Sequence, residues 1–428
     1  MKNIILKIQL CLLTLASIFS FGGTNNIDAY ALGQNFILQR LKGISLMIPI
    51  FIFILILAVR SAQIRLLKTV FKNNQILIMY ILWSLLSTLW SVNGFYSINK
   101  LIIFTLFLIS ASCLISQYLY FFKEDALTKL YLHFYIVTSI IAVFIFTIWA
   151  YYGMQFGRES RMIFSPYTHA NQIASYLGIG FLFLLCHNNS KNTKKFTTHY
   201  NKPFLKYALY MFFLLMIFVS FSRTVFISVI FAILISYLFT KIKQYDEKKI
   251  IKKILIIISI CVFFILLLWI ENETVQFLER KSGQGLLNSR TVIWKQALNG
   301  LTNHSFLIGW GYGLISKYSV LKLEWVSTNG AHNMFLQVLA GTGIVGLILL
   351  FSLFVSFFNI FNKSYLIFDL GHPAFRIGIL FFFILNGLSD NLFGIGISGS
   401  FLNLFFLYNI SVLSINEINT HSPTKQIK

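Results

Sequence analysis

Residues 204–240 read FLKYALYMFFLLMIFVSFSRTVFISVIFAILISYLFT, an apolar run whose central polar break is Ser220-Phe221-Ser222-Arg223-Thr224. As one helix it would reach about 55 Å at 1.5 Å per residue, against a bilayer hydrocarbon core of about 30 Å. The run therefore folds back on itself at the break. That hairpin predicts two membrane spans joined by almost no loop, with Arg223 at or just inside a membrane–water boundary.

Composition points the same way. Of 428 residues, 57% are hydrophobic, 17% aromatic and only 11% charged, and the mean hydropathy is +0.75. No soluble globular protein of this size needs so much apolar surface. The bilayer ruler places spans near 4–21, 43–59, 75–91, 99–117, 131–152, 170–186, 204–221, 224–240, 254–270, 334–357, 376–393 and 397–414. The expected fold is thus an all-α polytopic membrane protein of about twelve helices, a single domain over 1–428. Neither an internal repeat nor a soluble domain is visible.

Lysine and arginine set the orientation. With both termini inside, the inner segments fall around 60–74, 118–130, 187–203, 241–253 and 358–375. Together with helix-edge cations these hold roughly 23 of the 35 Lys and Arg. Lys241, Lys243, Lys248, Lys249, Lys252 and Lys253 form the clearest anchor. The long segment 271–332, between spans nine and ten, then faces outward. A net charge of +22 reads as topology and attraction to anionic lipid, not nucleic-acid binding. An uncleaved first helix is expected, although Ala29-Tyr30-Ala31 resembles a signal cleavage site. Cys11, Cys113, Cys186 and Cys261 are scattered in apolar segments; they predict neither disulfides nor a metal cluster.

The outward segments gather the polar residues that suit chemistry. Ser289-Arg290 opens an amphipathic run that continues through Trp294. Gly309-Trp310-Gly311-Tyr312-Gly313 cannot be regular helix; it is a turn that brings backbone close to something. Ala331-His332-Asn333 leads into a helix from Met334. Arg223 either snorkels to lipid phosphate or binds an anion. Arg290 is either a solvated charge or, through its planar fork, a phosphate ligand. His332 is able to take a proton near neutrality, and Asn333 either caps its helix or meets sugar hydroxyls. Arg158, Arg161 and Asn171 lie on another outer loop that enters a helix. Asp390 follows Asn386-Gly387-Leu388-Ser389, where it either orients a cation or closes a helix end. The outer carboxylates form no DxD or HExxH pair, so no metal and no cofactor are expected.

This ordered set resembles the O-antigen ligase and polymerase superfamily. Its carriers are Phe221-Ser222-Arg223, Ser289-Arg290 with Trp294, the glycine turn, and Ala331-His332-Asn333 followed by Gly343 and Gly346. Leu89-Trp90-Ser91, Asn171 and Gly387-Leu388-Ser389-Asp390 also fit, and the likeness spans roughly 75–400. The resemblance implies a GT-C-like, metal-independent, inverting glycosyltransferase of the bacterial inner membrane, active on its periplasmic face. The donor it implies is a glycan on undecaprenyl diphosphate, the acceptor a lipid A core sugar or a growing glycan. Arg223 and Arg290 would then bind the diphosphate, and His332 would act as base on the acceptor hydroxyl. Arg158, Arg161, Asn171, Asn333 and Asp390 are possible further substrate contacts. A ligase is favoured, with a repeat-unit polymerase next. A lipid-linked glycan flippase, a different class, would need charge through the depth of the helices, and the interiors here are nearly charge-free.

Overall fold

The structure is a computed structural model, and it describes residues 2–22, 52, 54, 64–122, 126–152, 170–188, 203–219, 222–242, 294, 297–301, 306–314, 330–367, 374–388, 390, 392–393 and 398–421. Among these residues there are helices and connecting turns and no strand. The helices are α1 (Lys2–Gly22), α2 (Ile64–Asn73), α3 (Gln75–Ser87), α4 (Gly94–Phe122), α5 (Ala126–Tyr152) and α6 (Ala170–Asn188). They continue as α7 (Pro203–Val219), α8 (Arg223–Ile242), α9 (Met334–Ile367), α10 (Ala374–Gly387) and α11 (Gly399–His421). The expected spans near 43–59 and 254–270 lie outside the described residues, apart from Ile52 and Ile54.

Two of these helices, Gly94–Phe122 and the Met334–Lys363 part of α9, are long and apolar enough to cross a bilayer; several shorter helices are also apolar. The outer surface agrees with lipid contact. Met79, Leu82, Met211, Ile348, Phe351 and Val355 stand exposed in mid-helix, whereas a soluble protein rarely shows large contiguous apolar patches. The fold is all-helical and consistent with a membrane protein.

The run is divided into two helices, as expected. α7 ends at Val219 and α8 begins at Arg223. Ser222 is the residue before the helix, and its carbonyl accepts the first bond, from the Phe226 N–H at 3.1 Å. The segment at 60–74, expected on the inner side, contains helix α2. Asn74 separates it from α3 with φ −108°, ψ 33°, and its Nδ2 donates back to the Val70 carbonyl at 2.7 Å.

Small residues let the helices close. On Gly378 a β-carbon would meet the Ser236 hydroxyl and stand 2.5 Å from the Ala232 carbonyl, so α8 and α10 touch backbone to side chain there. Gly178 in α6 faces Phe382 and Val225, and Asn386 hydrogen-bonds Ser175. Gly387 faces Met334. These contacts put the starts of α6, α8 and α9 and the end of α10 at one end of the bundle. The opposite end is tied by Asn74 to Asn409, Tyr408 to the Asn73 carbonyl at 3.1 Å and to Ser356 at 3.0 Å. Arg376 is there too. A helix-edge cation by sequence, it is fully buried, with Nη1 donating to Ser411 Oγ at 3.2 Å.

Because α8 and α10 meet at Gly378, Gly378→Leu should wedge them apart. We expect a loss of about 1–3 kcal/mol, read as a lower Tm of the detergent-solubilised protein.

Candidate functional site

Helix α9 is not continuous. At Gly343 the backbone takes φ 72°, ψ −171°, which breaks the helical ladder. An interrupted helix leaves carbonyls without partners, and in a bilayer core such groups cost several kcal/mol unless protein supplies donors. Here residues 306–314 supply them. The Trp310 N–H donates to the Ala340 carbonyl and the Gly311 N–H to the Gly341 carbonyl, both at 2.8 Å. The third carbonyl, of Thr342, accepts from the Trp83 indole at 2.7 Å. In return the Ile344 N–H donates to the Phe306 carbonyl at 3.1 Å. The glycine turn thus comes close to the broken turn of α9.

Its glycines are required by that approach. Gly309, Gly311 and Gly313 have φ of 70°, 112° and 82°, a region L side chains avoid. A β-carbon on Gly309 would lie 2.6 Å from backbone atoms of Gly341 and Gly343; one on Gly343 would strike the Leu307 carbonyl. The turn is also tied to the α3–α4 connection. Tyr312 N–H donates to Ser87 Oγ at 3.0 Å, Trp90 Nε1 to the Ile308 carbonyl at 3.2 Å, and Val92 N–H to the Trp310 carbonyl at 3.4 Å. The Tyr312 ring is inserted beside Tyr80 and Phe104. Burial, with the Tyr80 and Tyr96 phenols adding to it, pushes the Tyr312 hydroxyl well above its ordinary pKa, so it stays neutral.

His332 stands next to this assembly, half-buried, at the start of α9. Its φ of 48° makes it the only non-glycine residue with positive φ among the described residues. Asn333 caps the helix: its Oδ1 accepts from the Phe335 and Leu336 N–H groups at 3.0 and 3.1 Å. On the other side, the Ala331 N–H donates to Gln337 Oε1 at 2.9 Å, and the Ala331 carbonyl accepts from Trp294 Nε1 at 2.7 Å. Gln337 Nε2 donates to the Leu314 carbonyl at 3.3 Å. A small apolar cluster of Ala297, Leu301, Trp310, Leu314, Ala331, Leu336 and Ala340 underlies the segment, with Trp294 packed on it.

The other expected site residues divide. Arg223 is the first residue of α8 and Asn171 the second of α6, so both helix starts share the His332 end of the bundle. Asp390 is buried just past α10, at the same end. Arg158, Arg161 and Arg290 lie outside the described residues. Gln337, Trp83 and Ser87 escaped the sequence reading. Gln337 had a signal, as a lone amide within the apolar Met334-Phe335-Leu336-Gln337-Val338-Leu339-Ala340 run. Such a group requires a partner once buried.

Residues 208–351 match the family model for O-antigen ligase. That segment is similar to O-antigen ligases. That match begins within α7 and ends within α9, so it takes in Arg223, Arg290, Trp294, the glycine turn, His332 and Gln337. Arg158, Arg161, Asn171 and Asp390 fall outside it. No curated protein matches the chain.

Gly343→Ala should undock the turn. Forcing an L side chain into that essentially glycine-only conformation costs about 1–3 kcal/mol before any clash. We expect a lower Tm together with loss of transfer activity, measured on the same purified sample.

Proposed function

We propose that this protein transfers a glycan from undecaprenyl diphosphate to a sugar hydroxyl at the periplasmic face of a bacterial inner membrane, most simply to the lipid A core. The observation that carries the reading is that one family-matched segment, 208–351, holds Arg223, Arg290 and His332. Arg223 begins its helix at the same end of the bundle as His332. In this reading His332 takes the proton of the acceptor hydroxyl as its oxygen attacks the anomeric carbon with inversion. The C–O bond to the diphosphate breaks, and undecaprenyl diphosphate leaves with the electron pair. Arg223 and Arg290 stabilise the charge on that leaving group, which is where fixed cations are worth most. Arg158, Arg161, Asn171, Asn333 and Asp390 are assigned to the surrounding sugar contacts. The chemistry calls on no metal and no cofactor. A repeat-unit polymerase would use the same steps with a lipid-linked glycan as acceptor.

A deletion strain separates the readings on a gel. Long polymer kept on the carrier but missing from the lipid A core identifies a ligase; a single accumulating repeat unit identifies a polymerase. Unchanged glycans would overturn the transferase reading. Complementation with His332→Asn, which suits the left-handed backbone, or with Arg290→Ala should fail although the protein inserts normally. Loss of a general base should cost about 10²–10⁴-fold in rate.

A further inference from the structure

Two side chains far from His332 in sequence or chemistry fix how it is presented. The peptide plane entering His332 ends at the Ala331 carbonyl, held by the Trp294 indole at 2.7 Å. The plane before it carries the Ala331 N–H, held by Gln337 Oε1 at 2.9 Å. The residue after it, Asn333, is locked by its cap and by the Gln337 N–H, which donates to the Asn333 carbonyl at 2.9 Å. His332 therefore swings between clamped peptides. Its φ of 48° is a conformation that costs an L residue about 1–2 kcal/mol, so something must hold it. These bonds do.

We propose that Trp294 and Gln337 are positioning residues for glycan transfer. Trp294 joins two functional segments with one hydrogen bond: it lies four residues after Arg290 and grips the peptide leading to His332. Gln337 joins two others, since the amide that accepts from Ala331 also donates to Leu314 at the end of the glycine turn. The peptide that leads into the base is held through the indole. The direction of the imidazole is set through the amide. This inference rests on the roles assigned above to His332 and Arg290.

The two residues predict different kinetic signatures. Full-length protein in nanodiscs would be given the glycolipid extract of the deletion strain, which supplies donor and acceptor together. Gln337→Ala releases the Ala331 N–H and the Leu314 carbonyl but leaves the Trp294 bond in place, so kcat should fall about 10- to 100-fold, the cost of a small misplacement, with the donor KM unchanged. Gln337→Glu keeps the acceptor for the Ala331 N–H and should recover most of the loss. Trp294→Phe keeps the ring packing but lacks the N–H; it should lower kcat and also raise the donor KM. Tm and monodispersity are read on the same samples. The inference is overturned if both residues give wild-type kcat per folded molecule while His332→Asn is inactive. It is overturned equally if activity falls only in proportion to folded protein. Should Gln337→Ala fail to fold, Trp294→Phe decides. An active His332→Asn instead sinks the base reading itself, a result that the positioning variants cannot produce.

Discussion

The broken turn of α9 is the constraint on which the functional end of the molecule depends. A helix interrupted inside an apolar bundle must find donors for its released carbonyls, because neither lipid nor apolar side chains offer any. Trp310, Gly311 and Trp83 provide the three, at 2.7–2.8 Å. Everything near His332 inherits its position from that exchange. The glycine turn is anchored by it, Leu314 is placed at the end of the turn, and Gln337 reaches Leu314 from one helical turn below the cap. The same break lets the first segment of α9 end in backbone contacts while the rest continues as a long apolar span.

Polar groups are spent sparingly and in two places. At the His332 end they join backbone to side chain across elements distant in sequence, as in Ser87 with Tyr312 and Trp90 with Ile308. At the opposite end they are side-chain pairs between helices, such as Asn74 with Asn409 and Arg376 with Ser411. Between the two lies an aromatic interior in which Tyr80, Phe104, Phe393 and Phe401 stack edge and face. The first arrangement shapes irregular backbone; the second holds straight helices in register.

Hydropathy alone located most of the helices. Spans expected at 4–21, 131–152, 170–186, 204–221 and 224–240 coincide closely with α1, α5, α6, α7 and α8, because apolar length against bilayer thickness is a strong, local signal. The stretch 60–74 was read only for its charge. Its Arg65, Lys68 and Lys72 mark a polar segment, yet an amphipathic helix hides its apolar face against neighbours that no local pattern reveals. The glycine turn announced itself through composition, but its pairing did not. Gly341-Thr342-Gly343 stood out as a second glycine-rich stretch, but only following its carbonyls to Trp310 and Trp83 shows what it meets. Likewise, Arg376 looked like an edge cation, and only the packing of α10 against α11 shows that it is enclosed.

The joints at the His332 end have a consequence for how the protein is made. Trp83 and Ser87 emerge from the ribosome more than two hundred residues before Thr342 and Tyr312, their partners at separations of 259 and 225 positions. Until α9 has been synthesised, the α3–α4 connection holds donors and acceptors that nothing answers. Vectorial synthesis therefore delivers α1–α8 first, and this end can close only once the glycine turn and α9 arrive to meet them. A chain stalled before that point has most of its bundle and no assembled site.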